Sequence, residues 1–324
     1  MHRALLNHAK LSIVLRPRGP LLIKSGIESS DPTRPSMEFV RTRHAELGET
    51  IYIPGTSLKG TFRAYAERML RSFGVKICDL FEATERCPKG AAKESESTAE
   101  TFARHCAACR TFGSLRLAGR LNISDAYPWD PGADRDGRQA AHELANKTES
   151  RNQVAIDRET GKPVDGSLYD LEVTTAGEFH AQVDLGNFEL WQLGLLAATL
   201  EELDRGTVAV GFGKSRGLGR VHAEATSLQV TTSDRTTGKL VGVAELCGPE
   251  ERAAYELRGG EDVLKLPAAE DGFLERISWR GRSIVAAGRP LETILSHLAR
   301  GPLMTLLQAA SAEQARNGME ADHA

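Results

Sequence analysis

Two apolar stripes of helical period set the layout of this chain, because each is bracketed by short runs that read as strands. The first stripe, Leu58, Phe62, Tyr65, Met69 and Phe73, follows Pro54-Gly55, with Thr56 or Ser57 placed to cap it and Gly74 to close it. Lys59, Arg63, Arg68 and Arg71 take its other faces. The second, Leu190, Leu193, Leu196, Ala197, Leu200 and Leu203, ends at Gly206. Residues 9–15 and 50–53 read as strands before the first helix. Residues 120–126, 168–173 and 178–185 read as strands between the helices, the last two as partners across a turn at Ala176-Gly177. Residues 208–210 and 220–223 follow the second helix.

The resulting order, strand, helix, two strands, helix, strand, predicts an α+β fold of ferredoxin-like (RRM-like) type: an antiparallel sheet carrying two helices. Polar residues 88–104 read as part of an insertion spanning 74–116. Residues 130–167, rich in Gly, Asp, Arg and Asn, read as mostly loop. A core over 1–232 is followed by an extension over 233–324, a charged linker and then a helical pair at 289–300 and 302–310 broken at Gly301-Pro302.

No run of 18 apolar residues occurs, and the start turns polar too soon for a secretory signal, which predicts a cytoplasmic protein with no membrane partner. Lys plus Arg total 41 against 44 Asp plus Glu, a net charge of −3, so any nucleic-acid site must be local.

Residues 211–220, Gly-Phe-Gly-Lys-Ser-Arg-Gly-Leu-Gly-Arg, are the most unusual string. Gly211, Gly213, Gly217 and Gly219 allow close approach of a polyanion, with Lys214 and Arg216 as cations and Ser215 beside them. The string is neither of the common nucleotide loops: Val208 stands where a phosphate-binding loop needs glycine, and Arg216 where the dinucleotide fingerprint does. A second string, residues 53–63, ends a strand in Pro-Gly and opens a helix. Its free N–H groups at Thr56 and Ser57, with Lys59 and Arg63 a turn apart, outline an anion site.

Cys78, Cys87, Cys106 and Cys109 lie together, and the Cys-Ala-Ala-Cys spacing at 106–109 suits two ligands of a tetrahedral zinc. His105 is an alternative to one of the four thiols. A catalytic zinc would need an open position and a nearby base, which the sequence does not supply, so the expectation is a structural Zn site.

The two strings in this order, with residues 122–125 and Ile156-Asp157-Arg158 ahead of Thr160-Gly161, resemble the repeat-associated mysterious protein (RAMP) superfamily of CRISPR systems over residues 9–230. The resemblance is closest to the backbone subunit of type III effector complexes, some of which look similar in carrying a zinc-binding insertion. It implies that Thr56, Ser57, Lys59, Arg63 and the loop residues Gly211, Gly213, Lys214, Ser215, Arg216, Gly217 and Gly219 hold guide RNA (crRNA). Arg158 would begin a thumb hairpin over 159–167 that splays bases of a target single-stranded RNA. Partners would be other effector subunits, copies of the chain included. Target-cleaving members carry an acid upstream of the Pro-Gly strand that works with Mg²⁺ or another divalent metal. Asp31 and Glu38 are the acids within register, Asp31 being the choice, since its loop can bring it inward. The alternatives are a non-catalytic scaffold of the same complex and a repeat-processing RAMP ribonuclease, which would need a placed histidine.

Overall fold

A computed structural model describes residues 4–26, 34–82, 84–88, 96–258, 262–266, 272–279 and 281–321, the side chains of 315 and 317–321 aside. From the N-terminus it runs through β1 (Asn7–Pro17), the hairpin β2 (Arg41–His44) and β3 (Gly48–Ile51), and α1 (Gly55–Ser72). The insertion then supplies α2 (Thr98–Ala103) and α3 (Ala107–Phe112), followed by β4 (Leu121–Ile123), α4 (Arg135–Ala145) and the hairpin β5 (Glu149–Gln153) and β6 (Tyr169–Val173). β7 (Phe179–Gly186), α5 (Leu190–Asp204) and β8 (Val221–Thr232) complete the first part. Beyond it lie β9 (Lys239–Val241), α6 (Val243–Leu246), α7 (Pro249–Ala254), β10 (Val263–Lys265), β11 (Phe273–Ser278), β12 (Gly281–Ala287), α8 (Gly288–Leu298) and α9 (Met304–Ala321).

β8, β1, β7 and β4 lie side by side in that order, each pair antiparallel. The first and third strands of the βαββαβ series are therefore central, as the ferredoxin-like reading requires. β7 shows why the sheet has two unlike faces: Phe179, Ala181, Val183 and Leu185 are buried, while the alternate residues are partly exposed. The buried set meets Leu11, Ile13 and Leu15 of β1 and Phe62 of α1 in one core.

Several sequence expectations are corrected. β6 pairs with β5, with Glu149 opposite Val173, and β7 pairs with β1 and β4 instead of β6. Residues 130–167 contain α4 and β5. Exposure explains the misreading: of α4 only Ala145 is buried, so the helix shows a polar sequence, started by Asp134, whose carboxylate accepts from Gly137 N at 2.8 Å. α1 begins at Gly55 with Pro54 before it and has no side-chain cap, so neither Thr56 nor Ser57 caps it. Its buried row is Leu58, Phe62, Ala66 and Leu70, one residue every four, and Phe73 at the end of the expected stripe is 37% exposed.

The expected charged linker after 233 also carries strands. β12 pairs with β8, and β11 with β12, extending the sheet to six strands. Charge hid them, yet here the charge is internal: Arg282 is fully buried, 2.5 Å from Glu275 and 3.6 Å from Asp234. α8 and α9 form the expected pair, joined through a π-helical turn at Ala299–Leu303 that contains Pro302. No helix among the described residues is long and apolar enough to cross a membrane.

Candidate nucleic-acid interface and metal centre

The two strings flagged in the sequence meet. Ser57, Gly60 and Thr61 of α1 face Gly211, Phe212 and Lys214 across a cleft of about 340 Å³, with Ile23 and Lys24 at its side. The chain reaches this geometry by laying the glycine-rich loop along residues 20–22: Phe212 N donates to Leu22 O at 2.8 Å and Gly219 N to Pro20 O at 2.9 Å. Both contacts need glycine beside them. A Cβ at Gly211 would stand 2.3 Å from Leu22 O, one at Gly219 would stand 2.0 Å from Val210 O, and both residues have φ above +80°. Lys214 to Arg216 then form a single 3₁₀ turn that projects into solvent.

Among the described residues the cleft carries positive charge only. Partial desolvation and the nearby Arg68 lower the Lys214 pKa, and just outside the cleft, on α1, partial desolvation and Arg63 lower that of Lys59. Like charges crowd these lysines, so an incoming anion would relieve both. The Phe212 ring lies between two cations, 5.9 Å from Lys24 Nζ and 5.0 Å from the Arg216 guanidinium. Sequence reasoning missed Lys24, and it missed Phe212 although an aromatic inside a glycine–cation string is a stacking signal. The helix start is less open than expected, since Gly55 N already donates to Asp125 Oδ1 at 2.8 Å.

Arg216 ties the loop to the expected thumb. Its Nη1 donates to Gln153 Oε1 at 3.1 Å and to the Tyr169 hydroxyl, at the base of the β5–β6 hairpin. That hairpin is longer than the expected segment 159–167. It runs from Glu149 to Val173, and its outer part exposes Val154, Ile156, Val164 and Leu168. Asp157 caps the tip turn by accepting from Glu159 N, Thr160 N and Thr160 Oγ1, bonds that hold its carboxyl below the usual range. Arg158 is exposed at that tip. At the inner end Glu172, which sequence reasoning did not single out, is 7% exposed; it accepts from Phe39 N at 2.8 Å, Thr148 Oγ1 at 2.7 Å and the Arg41 guanidinium.

The four cysteines converge as expected. Their sulfurs lie within 4.8 Å of one another, with Cys78 3.6 Å from Cys109 and 3.7 Å from Cys106. A tetrahedral zinc with Zn–S of about 2.3 Å would hold sulfurs about 3.8 Å apart, so the cluster can hold a structural zinc. Hydrogen bonds within the cluster lower the Cys106 pKa and raise those of Cys87 and Cys109, so Cys106 gives up its proton first. His105 is turned elsewhere, its Nδ1 2.5 Å from Thr101 O and its Nε2 2.7 Å from Ser114 Oγ. Arg63 links this centre to α1: it donates to Glu67 Oε1 at 2.8 Å, Gly113 O at 2.9 Å and Cys109 Sγ at 3.5 Å.

Of the two candidate catalytic acids, Asp31 lies outside the described residues. Glu38 sits mostly buried beside the hairpin base, Oε2 3.6 Å from Arg34, while its Oε1 is buried with no hydrogen-bond partner among the described residues. Trp129 is buried in a ring cluster, 5.0 Å from Tyr127 and 4.9 Å from His44, centroid to centroid. Among the histidines, His222 pairs with Asp204, and His8 lies 3.2 Å from Asp184.

No curated protein matches the chain. The family model described as RAMPs, RAMP superfamily, matches residues 15–222, from the end of β1 through the glycine-rich loop into β8. That span is more than half of the chain and contains both converging strings, the cysteine insertion and the hairpin. The chain belongs to the RAMP superfamily, whose members bind CRISPR RNA.

Proposed function

We propose that the protein is a backbone subunit of a type III CRISPR ribonucleoprotein, holding guide RNA and cutting complementary target RNA. The observation that carries this reading is the meeting of the α1 start with the glycine-rich loop in a cleft lined by Lys24 and Lys214 and, among the described residues, by no acid. Phosphates would lie against Lys214 and the loop N–H groups, and a base against Phe212. Arg216 connects that grip to the hairpin, whose exposed apolar tip suits wedging between bases. Lys59 and Thr56 extend the surface along α1, and Arg63 anchors it to the cysteine centre. A zinc there would be structural, holding the insertion against α1.

Cleavage would use Asp31 or Glu38 with a divalent metal, cutting beside each splayed base at intervals of about six nucleotides. The non-catalytic scaffold is the second reading, and Glu38 favours it, since a mostly buried carboxylate close to Arg34 is poorly placed to reach a target. The test is the assembled complex with Mg²⁺ and labelled target. A ladder lost in Asp31→Ala or Glu38→Ala, with target still captured, supports the nuclease; capture with no ladder from the wild type leaves the scaffold.

A further inference from the structure

Gly60 is out of place. It lies inside α1, where glycine is destabilising relative to alanine, and nothing in the fold requires it: a Cβ there would meet no atom within 4 Å. The glycines at the start of α1 and inside α5 are different, since a Cβ at Gly55 would stand 2.1 Å from Ile123 O and one at Gly194 2.4 Å from Leu298 O. Gly60 therefore leaves a gap in the exposed ridge of α1.

The ridge separates two clefts. On one flank Gly60 lines the glycine-loop cleft already described. On the other, its neighbour Lys59 lines a larger cleft of about 520 Å³ against the cysteine insertion, together with Arg63, Arg86, Leu80 and Leu115. That size suits a nucleotide. Leu115 is fully exposed and Leu80 is 45% exposed, apolar surfaces that the fold leaves uncovered. Among the described lining residues no acid offsets the three cations. Arg63 is fixed by its bonds to Glu67, Gly113 and Cys109, and Arg86 Nε donates to Leu80 O at 2.7 Å, which holds its side chain at the rim.

We propose that single-stranded RNA crosses α1 at Gly60 and continues into the cleft against the cysteine insertion, where Lys59 and Arg86 take a phosphate and Leu80 and Leu115 receive a base. The insertion is then a second RNA-binding wall as well as a folded zinc module. This inference rests on the guide-RNA reading and adds a subsite and a path to it.

Fluorescence anisotropy of the full chain with a labelled single-stranded RNA long enough to span both clefts, over a KCl series, tests the path. Arg86→Ala should weaken binding and reduce the salt slope by about 0.7, the value for one lost phosphate contact on a single strand. Gly60→Leu should weaken binding by at least about tenfold, because it lifts the strand off one flank and its cations. Gly60→Ala guards against misfolding: it should raise the melting midpoint by about 1–3 °C while still lowering affinity, a combination that a purely structural glycine would not give. If Lys214→Ala weakens binding but Gly60→Leu and Arg86→Ala match the wild type, the path is wrong and the guide-RNA reading stands. Arg86→Ala releasing zinc with RNA affinity unchanged would assign that cation to the thiolates and overturn the subsite. Failure of the wild type to bind the RNA overturns both.

Discussion

Helices α1 and α5 occupy equivalent places in the two βαβ halves, yet they are built differently. In α5, eleven of fifteen residues are buried, because β8, α8 and the π-helical turn all pack against it. In α1 only six of eighteen are buried. α9 reaches its C-terminal end, where Ser311 Oγ donates to Phe73 O at 2.9 Å, and leaves the first turns uncovered. The N-termini differ too. At α5, Leu190 N donates to Asp262 Oδ1 at 2.7 Å and Glu189 N to Gln192 Oε1 at 3.0 Å, all buried. α1 has no side-chain cap of its own and carries Lys59, Arg63 and the unexplained Gly60. One helix is committed to stability and the other keeps a face for a ligand.

Charge follows the same division. The groove between α5, α8 and β8 is lined by Glu201, Asp204, Glu224 and Glu292 against Arg300, while the cleft between α1 and the glycine-rich loop has lysines and, among its described residues, no acid. A net charge of −3 conceals this separation. Overall charge bears on solubility and long-range attraction, whereas local sign decides where a polyanion can settle.

The largest effect should come from the centre that braces α1. Cys106→Ser with Cys109→Ser removes two ligands, and structural zinc sites contribute on the order of 10 kcal/mol to the folding of small modules. The expected outcome is loss of zinc by elemental analysis and loss of protease protection across residues 74–116, with α5 and the sheet intact. Next, Leu196→Ala on α5 should cost about 2–5 kcal/mol in denaturant unfolding, the range for a fully buried leucine. An exposed α1 position such as Ala64→Ser should stay within about 0.5 kcal/mol. Equal costs at the two sites would break the comparison.

The central layout was legible in the sequence because each core element carries its own period: the βαββαβ order, both helices, the glycine-rich loop and the four-cysteine cluster. What was not legible lies where partners are remote in sequence or polar. At the inner end of the β5–β6 hairpin Arg41 and Thr148 meet Glu172, residues that look like ordinary surface charge and a loop hydroxyl. Arg282 and Glu275 read as linker because their mutual neutralisation appears only once both are inside. In the site, Lys24 carries no local signal at all. It becomes part of the cleft because the glycine-rich loop is strapped to residues 20–22.

A smaller effect concerns pH at the hairpin base. Burial raises the Glu172 carboxyl, but the hydrogen bonds from Arg41, Thr148 and Phe39 N outweigh it and bring the pKa below the ordinary value of 4.5. A depressed folded pKa means stability that is present above about pH 4.5 and lost as pH falls through the folded value. Wild type should therefore lose stability on acidification more steeply than Glu172→Gln, compared by urea unfolding between pH 6 and pH 3. The smallest effects sharpen the contrast of helix starts. Gln192→Leu orphans Glu189 N, removes an acceptor from buried Arg120 and leaves the Thr111 hydroxyl with its bond to Ala107 O, and should cost about 1–3 kcal/mol by thermal unfolding. Ser57→Ala should change stability by less than about 0.5 kcal/mol, since Ser57 caps nothing.

The most direct test of the central claim, that the uncovered start of α1 and the glycine-rich loop form one RNA grip, is the salt dependence of single-stranded RNA binding by the full chain. Wild type, Lys59→Ala, Lys214→Ala and, on the acid-lined groove, Glu292→Ala would be compared. The expected result is RNA binding whose salt slope falls by about 0.7 in each lysine variant and is unchanged in Glu292→Ala. Binding whose slope is the same in all four proteins would contradict the account.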